Sequence, residues 1–577
     1  MKRLPVLPTQ TSREFVPRLR RIITICLIMS SLALISARIS NAQSSEELDE
    51  EDYGPRLPFA MVTIRSLDQS LVNIGEMFEA SGRPDMTEMI EEFLTDRAGN
   101  LDGIDRTRPV GVMFFLDDSL PPRPTPVAYI PIDDLDAFVK TASLGPLKPE
   151  QVEGEEGRFK LGGGRRSLNM VIQDDYAFAT PNEYLLEEEM PHPLDHVSGL
   201  ASRYDASISL QLRNISPIIR NVFLATFQTS AQAELQQRDD ETAAAHKIRK
   251  ANGQSGLEFL TQLLRDGEQV TLGLQANPEE QTAALELLFD ATPDSEFAKF
   301  MTNIGGRKSS FEGLYSELHP LTLSISWMLD RREREAMNGL VDAMDIGFKE
   351  NLPETVHSSI ERLSQSLRAT IEQEHLNAIF QFVPLEDRKF VLLGALKLVG
   401  SNSFGEALRE VLSEVTSNDA IDSIELDAHE HQSVVLHRLQ GSDSSDQDRR
   451  IYGGDPSVYL GTGNGVLWFG LGGDEVTYEL DFAIDQFLAS STATIDGSTA
   501  PFQLVFRMLP WLDLPTPENA DPLQRELTDE AMSDGGDAVR IEIRPTENGA
   551  RARMQFENGF VRLLGLFLAT KYDESQL

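Results

Sequence analysis

Residues 58–64 read PFAMVTI and residues 320–327 read PLTLSISW. Each is a proline followed by a short run rich in β-branched and apolar side chains, which is strand composition. The elements downstream of the two runs come in the same order. After the first, Asp68 can cap a helix whose Leu71, Ile74 and Phe78 recur at helical spacing. After the second, Asp330 can cap a helix carrying Ala336, Leu340, Val341 and Met344. Pro84 and Pro353 then open a further helix in each place, with Asp85, Glu88 and Glu354 in the first turns.

The shared order continues. Strands at 110–116 and 127–130 precede a helix from Asp133, and a strand at 390–398 precedes a helix from Ser403. In the first half come short strands, a turn at Asp174-Asp175, a strand at 176–179 and a helix from Asn182. In the second come short strands, a turn at Asn464-Gly465, a strand at 466–471 and a helix from Asp474. Asn-Gly between apolar runs is a strong hairpin signal. Each half ends with a strand (206–212 and 502–508), a hairpin (across Asn277-Pro278 and Asn548-Gly549) and a terminal helix near Phe297 or Phe560.

The expected fold class is therefore α+β, with two similar units arranged as an internal duplication. Each is a mainly antiparallel sheet whose one apolar face is covered by helices. The expected division is 1–42 signal peptide, 43–54 acidic leader, 55–310 first unit, 311–573 second unit and 574–577 tail. Three segments break the symmetry. Residues 235–252 are polar and Ala-rich, as in an exposed helix or helical hairpin. Residues 510–536, rich in Pro, Asp and Glu, read as a long loop, and 441–450 (GSDSSDQDRR) as a further loop.

The N-terminus says where the chain goes. Basic residues from Lys2 to Arg21 precede an uncharged apolar run, 22–37, and then Ser40-Asn41-Ala42. This is the order of a secretory signal, with cleavage expected between Ala42 and Gln43. The run is at the lower edge of what spans a bilayer, so an uncleaved N-terminal anchor is the alternative. Arg20-Arg21 also fits twin-arginine export, though Sec export is the expectation. The expected location is periplasmic or extracellular. The single Cys, Cys26, lies inside the apolar run, so the mature chain has no cysteine and burial alone must hold it.

The 577 residues carry 52 Lys+Arg against 92 Asp+Glu, a net charge of −40. Removing 1–42 takes away seven basic residues and one acid, leaving about −46. Such a balance excludes a general nucleic-acid binder, which needs a basic face, and charge-driven docking to anionic membranes. No membrane contact is expected beyond the export signal or its uncleaved form.

The segment Gly103-x-Asp105-x-x-Arg108-Pro109-x-Gly111, followed by strands, a short helix and a hairpin ending in Tyr176-Ala177-Phe178-Ala179, resembles a family of uncharacterised exported bacterial proteins of planctomycete type. The resemblance covers most of the mature chain and implies the same strand-rich, helix-covered unit; it carries no assigned activity. In the second half Arg388-Lys389-Phe390-Val391 stands where the Arg-Pro-x-Gly signature is expected.

Catalytic motifs are absent from the sequence. There is no Gly-x-Ser-x-Gly, Ser-x-x-Lys or His-Glu-x-x-His, and no mature thiol. His192 and His196 are separated by prolines that oppose joint ligation. His429-Glu430-His431 places both imidazoles on one face if extended, where they suit a divalent ion, but a solvated hairpin turn is the expectation. Gly461-Thr462-Gly463-Asn464-Gly465 and Gly162-Gly163-Gly164-Arg165-Arg166 read as turns, not phosphate cradles, and Gly305 to Ser310 as the linker between units. Asp133, Asp134 and Asp136 match Ser401-Asn402-Ser403, which keeps capping ability without charge. Asp443, Asp446 and Asp448 lack the pattern of a calcium loop, and Glu187-Glu188-Glu189 reads as a helix end. No catalytic, cofactor or metal site is expected.

The resulting expectation is an exported, non-enzymatic binding or scaffold component of the envelope or exterior. One alternative is a carrier of a lipid or other apolar ligand, which requires an apolar pocket of roughly several hundred Å³. The other is a metal-dependent hydrolase, which requires His and carboxylates from distant segments to converge.

Overall fold

The structure is a computed structural model. It describes residues 57–576 apart from 98, 118–121, 145–147, 163–166, 239–240, 416–420, 442–443, 491–499 and 515–520. The expected signal, its expected Ala42–Gln43 junction and the expected acidic leader lie outside the described residues, as do Gly163 to Arg166 and Asp443.

The fold is α+β, built on one 20-stranded sheet in which every neighbouring pair is antiparallel. The first ten strands are β1 Ala60–Ile64, β2 Val110–Leu116, β3 Pro124–Pro131, β4 Pro149–Gln151, β5 Arg158–Leu161, β6 Leu168–Gln173, β7 Tyr176–Thr180, β8 Ala206–Gln211, β9 Gly267–Asn277 and β10 Thr282–Ala291. The rest are β11 Leu321–Met328, β12 His375–Pro384, β13 Phe390–Lys397, β14 Ile421–His431, β15 Val434–Gly441, β16 Ser457–Gly463, β17 Val466–Gly472, β18 Phe502–Arg507, β19 Ala538–Pro545 and β20 Gly549–Phe556.

The β10–β20 pair lies at the middle of the sheet. Outward from β10 the order is β10-β9-β8-β1-β2-β3-β7-β6-β5-β4. Outward from β20 it is β20-β19-β18-β11-β12-β13-β17-β16-β15-β14. The second path is the first with each strand number raised by ten.

In chain order the helices are α1 Leu67–Ala80, α2 Pro84–Arg97, α3 Leu135–Ala142, α4 Pro193–Arg203, α5 Pro217–Glu234, α6 Ala243–Asp266, α7 Glu296–Asn303, α8 Arg331–Asn351, α9 His357–Ile371, α10 Ser401–Glu414, α11 Asp446–Tyr452, α12 Val476–Ser490, α13 Leu509–Leu512, α14 Pro522–Met532 and α15 Asn558–Gln576. The outer strands are packed on both faces. On one face α4 buries Val197 and Leu200 against Met113, Tyr129 and Phe178, and α12 buries Leu480, Ile484 and Phe487 against Val391, Leu436 and Trp468. On the other, α3 places Phe138 against Met170 and Ala177, and α9 and α10 enclose Ile360, Leu363, Phe404 and Leu408.

Several local expectations are corrected. Ser66, not Asp68, caps α1, since its hydroxyl accepts from the Gln69 amide at 3.0 Å. Gly400 precedes α10 in a left-handed conformation without a side-chain cap, so the Ser401 region does not share the capping role of Asp134. The 510–536 segment contains α13 and α14, the latter with Pro522 at its tolerated first position. A short 3₁₀ turn, Glu183–Leu186, stands in place of the expected helix from Asn182, and exposed Glu187 to Glu189 come after it. Strand β12 lies where the sequence pattern predicts none. Counting it moves the strand-order counterpart of Arg108 to the residues before His375, away from Arg388.

Candidate functional site

The central eight strands, β1, β8, β9, β10, β20, β19, β18 and β11, carry an unusual division of side chains. One row across them, in register, is Val62, Ile208, Leu272, Leu287, Ala552, Ile543, Phe502 and Ile325. The next row on the same face is Ile64, Ala206, Leu274, Leu285, Met554, Ile541, Leu504 and Leu323. All are apolar, and none is buried; Leu274 is 46% exposed and Ile208 41%. On the opposite face Thr63, Ser207, Ser209, Thr271, Glu286, Thr322, Ser324 and Ser326 are buried, while Arg540, Glu542 and Arg544 of β19 and Arg551 and Arg553 of β20 are partly exposed. The expected arrangement, apolar face covered by helices, therefore holds for the outer strands but not at the centre, where the apolar rows stay exposed or partly exposed.

Small hydroxyl side chains let much of that opposite face be buried. Ser209 and Thr271 bond each other at 3.2 Å, and Thr63 bonds the Tyr129 hydroxyl at 3.0 Å. Such buried polar groups keep a partner, and their desolvation is offset. Gly273 lies under the Tyr204 ring, where a Cβ would come within 2.3 Å. At the seam, buried Glu286 on β10 receives the Tyr204 hydroxyl at 2.6 Å and the Arg203 guanidinium, with Arg553 at 3.5 Å and Arg551 at 3.8 Å. Burial, followed by the Glu286 bond and charge, raises the Tyr204 phenol pKa well above its usual value.

Helices from both halves stand at the two ends of the apolar floor. At one end, Phe259 of α6 lies edge-on to Phe289, with ring centres 6.3 Å apart. There α6 and α8 run antiparallel, joined by Lys247–Asp342 at 2.5 Å, Arg331–Glu258 at 2.7 Å and the close approach of Gly339 to Ala251. At the other end, Phe560 of α15 meets Phe556 at 6.2 Å, and α15 packs on α1 and α2 through Ala569, Phe78 and Met86. Exposed apolar side chains continue along these helices, at Leu340 and Phe348 of α8 and Leu564, Phe567 and Leu568 of α15. No helix among the described residues is long and apolar enough to cross a membrane.

The sequence candidates fall elsewhere. Asn464 and Gly465 form the β16–β17 turn with positive φ (56° and 73°), and a Cβ on Gly461 would meet the Val435 carbonyl at 1.9 Å; these glycines serve strand contact. Asp134 accepts from the Ala137 amide at 3.0 Å, and Asp448 forms a capping box with Ser445. His192 stands edge-on to Tyr176, while His196 lies within α4, its pKa lowered by burial. The Arg108 guanidinium lies 4.3 Å from the Tyr176 ring centre. The Gly305 to Ser310 linker is pinned to β12 where Ser309 meets Asn377 at 3.3 Å.

His429-Glu430-His431 is not a turn. It is the last part of β14, and the turn lies at Gln432-Ser433. Both imidazoles face α12, where His429 Nε2 lies 2.7 Å from Asp481 Oδ1 and His431 Nε2 lies 2.9 Å from Asp485 Oδ1. Histidines and carboxylates from distant segments thus converge, as paired bonds. Among the described residues no three such side chains already surround a common point as a metal cage. No protein-family model, curated protein or solved structure matches the chain.

Proposed function

We propose that the protein is an exported, non-enzymatic carrier that holds lipid acyl chains against its central strands. The observation that carries this reading is the wholly apolar central sheet face, on which Ile208 and Leu274 are exposed and the other floor residues partly exposed. A contiguous apolar surface left partly open to solvent marks a binding site, here an open floor in place of the enclosed pocket expected of a carrier. Eight strands at about 4.8 Å spacing make a floor roughly 34 Å long, and its two rows stand about 7 Å apart between the Phe289 end under α6 and the Phe556 end under α15. One leaflet's acyl chain occupies about half of a bilayer core of about 30 Å, so the floor has room for more than one chain.

A lipid suits this face better than a protein. Protein interfaces carry about one hydrogen bond per 100–200 Å², and the two floor rows offer no side chain that makes one. A second copy is further opposed by the net charge of −40. The N-terminal signal, with processing between Ala42 and Gln43, supports a role outside the cytoplasm. The resemblance to exported planctomycete-type proteins belongs to the same proposal. So does an origin of 55–310 and 311–573 by tandem duplication, supported by the matching strand paths.

The test is organic extraction of the purified protein with mass spectrometry, followed by titration of the delipidated protein with a fluorescent fatty acid. Co-purifying lipid and saturable binding, lost in a Leu274→Glu/Leu285→Glu variant that still folds, are expected. No lipid and no binding by the folded wild type overturn the proposal.

A further inference from the structure

The edge of the second half carries an arrangement that an apolar carrier does not require. Strand β14 presents His429 and His431 on one face, two residues apart, as strand period dictates. Helix α12 presents Asp481 and Asp485 one turn apart, on one face. The two faces meet at 2.7 Å (His429 Nε2 to Asp481 Oδ1), 2.9 Å (His431 Nε2 to Asp485 Oδ1) and 3.8 Å (His431 Nδ1 to Asp481 Oδ1). Asp481 Oδ1 therefore lies within 4 Å of both rings. Both imidazoles are about a quarter exposed, which leaves a route for a small solute.

We infer that His429 Nε2, His431 Nδ1 and Asp481 Oδ1 form a binding site for a divalent transition-metal ion of the Zn²⁺ type. Imidazole nitrogen and carboxylate oxygen are the ligands that suit such an ion, and three protein ligands leave a fourth position to water. Asp485 completes the arrangement. Its carboxylate holds His431 Nε2–H, which fixes the tautomer that leaves Nδ1 free to ligate; a carboxylate behind a ligating histidine is the usual supporting contact. The present 2.7 Å contact is a hydrogen bond. Two ligands each about 2.0–2.1 Å from a tetrahedral Zn²⁺ stand about 3.3 Å apart, so the ion replaces the shared proton and parts the pair by about half an ångström. The His431 Nδ1–Asp481 Oδ1 pair, now 3.8 Å apart, closes by about the same amount. The strong negative charge of the chain raises the local cation concentration. A bound ion would clip the outermost strand to α12.

The test uses the whole exported chain, stripped with a chelator and titrated with Zn²⁺ by calorimetry in excess Mg²⁺ and Ca²⁺. One Zn²⁺ per chain is expected. His429→Gln/His431→Gln is expected to abolish binding, Asp485→Asn to weaken it about 10- to 100-fold, and His246→Gln, in the distant α6, to leave it unchanged. Binding that Mg²⁺ competes away, or that survives in the double variant, overturns the site. Should the double variant not fold, X-ray absorption of the Zn²⁺-loaded wild type decides. Scattering from two imidazoles supports the site, and oxygen-only ligation overturns it.

Discussion

The Tyr204 hydroxyl donates to Glu286 Oε1 at 2.6 Å, at the strand pair that joins the two halves. Glu286 is 3% exposed at its side chain and is approached by Arg203, Arg551 and Arg553. Two of those arginines come from β20 and one from the end of α4, so the carboxylate ties three elements across the seam. Glu286→Ala leaves the Tyr204 hydroxyl and three guanidinium groups without their acceptor; because the guanidiniums are 30–43% exposed and water can reach them, the expected cost is about 2–4 kcal/mol, below the full range for orphaning a buried charge. Tyr204→Phe removes one bond to a charged acceptor and should cost about 1.5–3 kcal/mol. Urea unfolding measures both, and a Glu286→Ala loss no larger than that of Tyr204→Phe would show the arginines do not depend on the carboxylate.

Stability should fall as the solution is acidified through the histidine range. Burial lowers the pKa of His437, and its Nδ1 accepts the Asp427 amide at 3.0 Å, a bond only the neutral ring can accept. Burial also lowers the pKa of His196, His319 and His375. Each folded pKa lies below the unfolded value of about 6.5, so the unfolded chain takes up protons first. The stability is fully present above about pH 6.5 and is lost as pH falls below it toward the folded pKa. His437→Gln is expected to flatten that decline in denaturant midpoints between neutral pH and about pH 5. An equal slope in the variant would assign the decline to other groups.

Charging the apolar floor should cost little in folding. Leu274 and Ile208 are already 46% and 41% exposed, so Leu274→Glu and Ile208→Lys remove little burial and are expected within about ±0.5 kcal/mol of wild type, as for ordinary surface positions. Leu272→Glu, one row inward and less exposed, should cost more. A collapse of the Leu274→Glu melting temperature would mean that this surface is covered in solution.

The strands around this floor are legible from alternation and turns, because period-two patterning survives wherever one face is apolar. Which face is covered is not legible. Leu274 and Leu285 look like core residues in the sequence, and only the helix positions reveal them as accessible. Strand β12 is hidden by Asn377 and Gln381, which interrupt its apolar pattern; Asn377 bonds the linker hydroxyls and Gln381 donates to the Leu314 carbonyl. The end of strand β14 is hidden because an edge strand tolerates charge, so His429-Glu430-His431 reads as the turn itself. The shared face of His429 and His431 comes from strand period, but Asp481 and Asp485 lie some fifty residues away in another element, and only folding brings them together.

The two halves also meet where α6 crosses α8, and there the spacing depends on a glycine. A Cβ on Gly339 would stand 2.6 Å from the Ala251 Cβ, closer than real side chains approach, and the two helices are tied on either side of this point by Lys247–Asp342 and Arg331–Glu258. Gly339→Ala gains about 1 kcal/mol of helix propensity and forces the helices apart. Gly339→Leu adds bulk with less compensation and is expected to lose about 1–3 kcal/mol, the usual cost of overpacking. Ala251→Gly in the Gly339→Ala background restores space at the crossing and should recover part of any loss there. Additive effects in that double-mutant cycle, measured by urea unfolding, would show that the two positions do not touch; a coupling of about 0.5 kcal/mol or more is the expected result.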